Sequence, residues 1–265
     1  MLDSILLKAP YFLLVYARCF TMIITLPLFS MRSVPRVAKL ALSFYMAFMM
    51  FSGVDFSVYE SVVTENQAFS VQYLLLVLGE GLIGVIMGFF IQIIFAAFST
   101  AGQLFAFQMG FSAASAYDAL SQVENPLMGQ YLNFIAMLIF LQNRWFQKIF
   151  ISGLMGSFKA LSAYSIAAGT EPVARFMLKG LTNLFADALI IALPVMGTLL
   201  LVSIATGLLS KAAPQMNLLS EGFPVMILLA FFLILNMLPA MSDFFTRSFN
   251  QGLKDLTDLF TTLGQ

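Results

Sequence analysis

Three acidic side chains stand in or beside long apolar stretches, and they are the residues with which this chain could do chemistry. They are Glu80, Asp118 and Asp187. Asp118 and Asp187 could together form an aspartyl dyad, a pair of carboxyl groups that share one proton. The flanking sequences AYDAL and FADAL lack the glycines that usually accompany such intramembrane acids. The dyad is therefore disfavoured, and a structural role is the simpler interpretation.

Two basic residues could neutralise Glu80. Arg18 interrupts the first apolar stretch of the chain, and Lys39 opens the second. Ionisable side chains within a membrane usually pair with one another, because an isolated charge in hydrocarbon is costly. The sequence therefore predicts that Arg18 or Lys39 pairs with Glu80 inside a bundle of helices.

Other reactive groups are scarce. The chain has no histidine, which removes the commonest general base and the commonest transition-metal ligand. Its one cysteine, Cys19, can form neither an internal disulfide nor a thiolate metal site, and we interpret it as a small buried hydrophobic residue. The formal net charge of +0 offers no basic surface to nucleic acid, and no glycine-rich phosphate loop occurs. We expect no enzyme, no catalytic residue, no metal and no cofactor.

The composition places the chain among membrane proteins. Of its 265 residues, 60% are hydrophobic and only 10% are charged, and the mean hydropathy is +0.93. Soluble domains carry about 25% charged residues. Six stretches approach the roughly 20 apolar residues of a membrane-spanning helix, and we expect all of them to be helical. They are Tyr11–Met31, Val37–Val54, Tyr73–Ser99, Pro126–Gln142, Phe185–Ser210 and Gly222–Ser242.

The charges between these stretches give a mixed orientation signal. The turn after the first stretch is basic and the loop after the second is acidic, which predicts an external N-terminus. Asp3 precedes Lys8 and no small-residue cleavage site follows the first stretch, so we expect a retained span rather than a cleaved signal. Several lysines and arginines lie within residues 143–182. If the stretches crossed the membrane in simple alternation, this segment would lie outside, where few basic residues are expected. We expect an amphipathic segment there with a turn at Gly169–Pro172, and a short polar helix after Asp243. Prolines such as Pro194 predict bent or broken helices.

Glycines indicate a close helix contact. Gly81, Gly84 and Gly88 lie near one another on one helix face, and Gly84 and Gly88 form a small-xxx-small pair. Such a pair lets two backbones approach closely. The contact could lie within one subunit or between subunits, and the sequence leaves both open.

An uncharged polar segment follows the third apolar stretch. From Gly81 to Tyr117 no charge occurs over roughly 37 residues, nearly twice one bilayer crossing. The polar parts are STAGQ, which begins at Ser99, and QMGFSAAS, which begins at Gln108. Such backbone is tolerated at membrane depth where protein buries it or water touches it. We therefore expect Gln103, Gln108, Gly110 and Ser112 in a loop or broken helix inside an assembly; an ordinary interfacial loop is the alternative.

Three ordered blocks resemble one known family. They are ARCFTMIITLPLFSMRSVPRVAKLALS, then AGQLFAFQMGFS followed by Asp118, then ALPVMGTLLLVSIATGLLSKAAPQMNLLSEGFPV. The resemblance is to the export-gate family of type III secretion systems, in its flagellar branch, and it runs over essentially the whole chain. It implies an all-α membrane protein of the bacterial inner membrane and flagellar basal body, with bent hairpins and a plug loop.

The resemblance also implies partners. One copy of the chain would join two other small export-gate membrane proteins in a helical complex, with a further export-switch membrane protein, and unfolded polypeptides would pass through. It implies an N-terminal part, 1–182, with the plug loop at about 100–125, and a C-terminal hairpin with its tail, 183–265. Residues implied at subunit contacts include those of the hairpin turn: Pro214, Gln215 and Asn217.

The resemblance places a pore plug around Gly110. The implied plug residues are Phe107, Met109, Gly110, Phe111, Ser112, Ala113, Ala116 and Tyr117. Relatives often carry aromatics where this chain has Ala113 and Ala116, so bulk would come from the phenylalanines, Tyr117 or the methionines. The alternative function is a secondary transporter or channel for a small solute, which would need inverted repeats and a charged midplane site.

Overall fold

The computed structural model describes residues 2–30, 34–65, 70–110, 127–212 and 222–264. Within these ranges every regular element is helical, which confirms the all-α class. The α-helices are α1 Leu2–Thr25, α2 Pro27–Ser30, α3 Arg36–Phe51, α4 Glu60–Glu65, α5 Val71–Gln108, α6 Leu127–Gln142, α7 Trp145–Lys148, α8 Met155–Ala160, α9 Ala163–Ala168, α10 Thr170–Ala212 and α11 Phe223–Leu263. A 3₁₀ turn, Ser57–Tyr59, precedes α4, and a π-helix, Ile149–Leu154, joins α7 to α8.

Three helices dominate the fold. Helices α5, α10 and α11 have 38, 43 and 41 residues, and among the described residues these three are long and apolar enough to cross a membrane. At about 1.5 Å per residue each is roughly twice as long as the hydrocarbon core is thick. Helix α6 is apolar but has only 16 residues. The membrane class is confirmed. The six predicted stretches fall on separate helices, with the first on α1 and α2 and the others on α3, α5, α6, α10 and α11, and the last two of these helices extend well beyond the predicted stretches.

The uncharged segment is more helical than expected. Helix α5 continues through Gln103 to Gln108, so the expectation that both glutamines lie in a loop or broken helix is wrong. A Cβ atom at Gly102 would collide with the carbonyl of Met128 on α6. Gly102 therefore serves a close crossing of two helices, and the backbone has no reason to break there. Helix α5 ends at Gln108, and Met109 and Gly110 form a turn directly after it.

Two further expectations are wrong: a separate short helix after Asp243, and a break in the helix at Pro194. Helix α11 runs without interruption through Pro239 and Asp243 to Leu263, and α10 continues through Pro194. A proline removes one hydrogen bond but not the apolar packing on the rest of the helix. Pro27 does mark a break, since α1 ends at Thr25 and α2 begins at Pro27. Of the turn expected at Gly169–Pro172, only Gly169 lies outside a helix, because α10 already begins at Thr170.

The chain forms two compact units. Unit 1 comprises Met1–Ile93, Phe140–Gly180 and Asn250–Gln265, and unit 2 comprises Ile94–Ile139 and Leu181–Phe249. In unit 1, helices α1 and α3 pack through aromatic contacts such as Phe12 on Phe44, with ring centroids 5.0 Å apart. In unit 2, Phe95 and Phe98 both contact the ring of Phe245. The division between 1–182 and 183–265 stays a prediction.

Candidate functional site: a buried charge network and the end of helix α5

An ion pair lies in the core of unit 1. Arg18 on α1 and Glu80 on α5 approach to 2.6 Å, with side chains 0% and 1% exposed. Arg18 makes two further hydrogen bonds of 3.0 Å, to Ser157 Oγ and to the carbonyl of Leu161. Its guanidinium also lies 4.0 Å from the ring centroid of Phe158. The charge is therefore surrounded by acceptors on two segments, α5 and residues 157–161, that are distant in sequence from each other and from α1.

Tyr59 completes the acidic side of this network. Its hydroxyl donates to Glu80 Oε1 at 2.5 Å and accepts from the backbone N–H of Ala163 at 3.1 Å. Burial, and then the neighbouring Glu80 carboxylate, raise the pKa of Tyr59 well above its ordinary value of 10.0. The phenol therefore keeps its proton and remains a donor to Glu80 across the physiological pH range.

The π-helix positions Ser157. The π-helix Ile149–Leu154 ends where Ser157 Oγ donates to the Leu154 carbonyl at 2.7 Å, while the same oxygen accepts from Arg18. A π turn shifts the following residues around the helix axis, and such turns recur where a side chain must be aimed. The network is densely hydrogen-bonded and fully buried. It can hold segments together, but it offers no surface to a reacting molecule.

The predicted glycine face packs inside the chain. A Cβ atom at Gly84 would overlap Thr21 Oγ1 and the carbonyl of Arg18, and one at Gly88 would overlap Thr25 Oγ1, all on α1. At Gly81 the nearest atom would be Thr21 Cγ2, at an ordinary 3.4 Å. Both glycines of the small-xxx-small pair are therefore required by the crossing of α1 and α5. Contact of this face with other subunits stays a prediction.

The end of α5 is a left-handed turn in unit 2. Gly110 has a φ of +82° and its N–H donates to the carbonyl of Phe107 at 3.3 Å, so the helix ends in a conformation that favours glycine. A Cβ atom at Gly110 would also overlap the ring of Phe223. Met109 is fully buried, whereas Phe107 is 76% exposed. The predicted plug residues Met109 and Phe107 therefore have opposite environments.

The other predicted residues are spread over the chain. Asp187 on α10 is half-buried and accepts a hydrogen bond of 2.9 Å from Ser248 on α11. Lys39 lies on α3, partly buried. Several predicted residues lie outside the described ranges: Phe111, Ser112, Ala113, Ala116, Tyr117, Asp118, Pro214, Gln215 and Asn217. In the described part of the chain, no three His, Cys, Asp or Glu side chains converge on a site that could hold a metal.

Sequence reasoning missed the uncharged members of the network. Tyr59 and Ser157 give no sign of their position, because neither residue type demands a partner as a buried charge does. It also missed the second glycine crossing, where Gly102 and Gly129 bring α5 and α6 together. That signal was available, since the two glycines stand on neighbouring apolar helices.

Comparison with known proteins identifies the family. Residues 9–252 match the family described as "Bacterial export proteins, family 1". The chain belongs to this family. Among its relatives are the flagellar biosynthetic protein FliR of Bacillus subtilis (strain 168), 28% identical over 265 residues with 99% of each chain covered, and that of Escherichia coli (strain K12), 30% identical over 253 residues with 93% of this chain and 91% of the relative covered.

A relative from outside the flagellar group matches more briefly. The surface presentation of antigens protein SpaR of Shigella sonnei is 28% identical over 155 residues, which cover 58% of this chain and 59% of the relative. The flagellar relatives from Bacillus subtilis and Escherichia coli match nearly the whole chain. The chain is therefore similar to these flagellar relatives over a larger share of its length than to SpaR.

Proposed function

We propose that this chain is a core subunit of the flagellar protein-export gate in the bacterial inner membrane. The observation that carries the proposal is the similarity over 99% of both chains to a flagellar biosynthetic protein. The three long apolar helices support a membrane location. The buried network supports a scaffolding role, since its charged groups are enclosed by hydrogen bonds. The chain thus forms part of a passage for unfolded flagellar subunits and carries out no chemical step itself.

Exposed apolar faces support a role inside a larger assembly. In the most apolar windows of α10 and α11, only 28% and 17% of the residues are buried within the chain. Lipid or neighbouring proteins must cover the remainder. The proposed neighbours are two other small export-gate membrane proteins, with one copy of this chain per complex, and a further export-switch membrane protein.

The segment after α5 is proposed to close the passage. Helix α5 ends in a turn that Gly110 fixes, and Phe107 in its last turn is exposed. Residues 99–117 carry no charge. A segment that is polar enough to contact water, yet uncharged and bulky, suits a plug that blocks ions while the gate is idle.

Removing the plug tests this function. Cells whose only copy lacks residues 110–117 should conduct ions across the inner membrane, while cells with the intact chain should not. A Gly197→Ala chain is the matched control, because no atom lies within 4 Å of the added Cβ position. Both variants should reach the membrane at equal levels. Unchanged conductance in the deletion strain would contradict the plug assignment. Intact flagellar assembly in cells without any copy of the chain would contradict the export role.

A further inference from the structure

Two short helices of unit 1 meet at an extended residue. Helices α8 and α9 have six residues each, and Leu161 between them has φ and ψ angles of −126° and 134°. A helix this short does not persist in water without tertiary contacts, because nucleation is costly and few hydrogen bonds follow it. Residues 157–169, which we call the connecting segment, therefore depend on the rest of unit 1 for their structure.

The buried network holds the connecting segment by three hydrogen bonds. The Arg18 guanidinium donates to Ser157 Oγ and to the carbonyl of Leu161, each at 3.0 Å. The backbone N–H of Ala163 donates to the Tyr59 hydroxyl at 3.1 Å. Two of the three bonds thus involve backbone groups around the break between α8 and α9. They form only while the segment lies against α1 and the 3₁₀ turn.

The end of α11 contacts the same segment. A Cβ atom at Gly264 would collide with the carbonyl of Ala160, and one at Gly169 would overlap the side chain of Leu263. Leu263 is only 9% exposed, although it is the last residue of α11. Residues 260–264, which we call the end turn, therefore dock on the connecting segment through close backbone approaches at two glycines.

The two sets of contacts alternate along the segment. In chain order they are the network at Ser157, the end turn at Ala160, the network at Leu161 and Ala163, and the end turn at Gly169. Loss of either partner therefore leaves gaps along the whole segment, and a segment without stability of its own does not bridge them. We propose that the connecting segment couples the end turn of α11 to the buried ion pair: it is docked while both hold it and is released when either withdraws.

Release leaves the rest of unit 1 in place. Helices α1 and α5 cross at Gly84 and Gly88, and the pair of Arg18 and Glu80 joins them directly. In the released state Arg18 loses two acceptors and Tyr59 loses one donor, and water takes their places. The position of the end turn thus determines how far water reaches the ion pair. This coupling goes beyond the proposed export role and does not rest on it.

Hydrogen–deuterium exchange measures the coupling from the side of the end turn. The full chain is purified in mild detergent with any bound partners, and exchange is followed by mass spectrometry of its peptides. Leu263→Ala removes the side chain that lies on Gly169 but keeps a strong helix former. Thr262→Ala is the matched control, because Thr262 is exposed and its hydroxyl donates to the carbonyl of Asp258 in the same helix.

Leu263→Ala should speed exchange throughout the connecting segment by about tenfold or more, since burial of a leucine side chain contributes on that scale. The amide of Ala163 is the critical reporter, because its acceptor is Tyr59 and not an atom of the end turn. Peptides around Arg18 in α1 and Glu80 in α5 should exchange as in the unsubstituted chain. Thr262→Ala should leave all of these rates unchanged.

A second variant measures the coupling from the side of the network, because thermodynamic coupling is reciprocal. Tyr59→Phe removes the acceptor of the Ala163 N–H. It should speed exchange by about threefold or more, the scale of one hydrogen bond, at the amide of Gly264, which donates to the carbonyl of Phe260 within the end turn. Tyr45→Phe, at an exposed position on α3, is the control.

Three outcomes overturn the coupling. Unchanged exchange at Ala163 in the Leu263→Ala chain would show that the network alone holds the segment. Equally faster exchange in α1, α5 and the segment, or loss of the folded chain, would show that the end turn belongs to a single cooperative unit. Faster exchange at Ala163 in Leu263→Ala, without faster exchange at Gly264 in Tyr59→Phe, would break the reciprocity and assign the first effect to a local contact.

Discussion

The guanidinium of Arg18 and the carboxylate of Glu80 lie 2.6 Å apart in the core of unit 1, joined across 62 positions of sequence. Each group also hydrogen-bonds to other buried atoms, Arg18 to Ser157 and Leu161 and Glu80 to Tyr59. A buried pair of this kind adds little net stability over a well-packed apolar pair, but removing one partner leaves an uncompensated charge. Its role is therefore to fix how α1, α5 and the segment around Ser157 fit together.

Glu80→Gln should strongly destabilise the chain. The substitution leaves the Arg18 charge buried without a counter-charge, which costs about 3 kcal/mol in the free energy of unfolding. Denaturant unfolding in detergent, followed by the fluorescence of the single tryptophan, Trp145, measures this change. Glu171→Gln is the control, because Glu171 pairs with Arg175 at the surface and its loss should be nearly neutral. Equal effects of the two substitutions would contradict the network.

Gly84→Ala should destabilise the fold, whereas Gly81→Ala should not. The added methyl group at Gly84 meets the α1 backbone and forces the two helices apart, at a cost of about 1–3 kcal/mol. At Gly81 the methyl group has ordinary room, and alanine favours the helix by up to about 1 kcal/mol. Thermal unfolding of the two variants separates these cases. If both melt like the unsubstituted chain, α1 and α5 do not cross at Gly84.

Arg144→Gly should stabilise the turn between α6 and α7. Arg144 has a φ of 53°, a left-handed conformation that costs an L-residue about 1–2 kcal/mol and costs glycine nothing. Arg144→Val should lower the unfolding midpoint, because a β-branched side chain tolerates this conformation worst. The midpoint order Gly above Arg above Val is the expected result; the reverse order for Gly and Val would rule out the left-handed turn.

Tyr59→Phe should change the alkaline limb of the stability profile. The pKa of Tyr59 is raised in the folded chain above its unfolded value of 10.0, so the folded state holds the proton more tightly. The resulting stabilisation is complete below about pH 10 and is lost as the pH rises beyond it. The Tyr59→Phe variant should therefore be less stable at neutral pH but decline less steeply above about pH 10. Tyr164→Phe, at an exposed position nearby, is the control and should keep the original slope.

The charged members of the buried network could be predicted from the sequence. Arg18 and Glu80 each interrupt an apolar stretch, and a charge in that setting requires a partner. Tyr59 and Ser157 carry no such requirement, and their places depend on how the 3₁₀ turn and the π-helix bring them to the same point. The spacing of Gly84 and Gly88 indicated a close crossing, but only the fold identifies α1 as the helix that crosses there.

Helix ends were the least predictable part of the fold. Asp243 was read as the limit of a membrane span, yet it lies inside a helix longer than a bilayer. A charge limits how far a helix enters hydrocarbon, but it does not limit the helix itself. Gln103 was read as part of a loop because a glycine beside a glutamine suits a turn and a helix crossing equally well, and only the contact of Gly102 with α6 distinguishes them.

Native mass spectrometry of a tagged copy, purified in mild detergent from flagellated cells, tests the central claim most directly. The export-gate account predicts a large complex that holds one copy of this chain and several copies of two other small membrane proteins. Isolation of the chain as a monomer or a plain homodimer, under conditions that preserve other membrane complexes, would contradict the account.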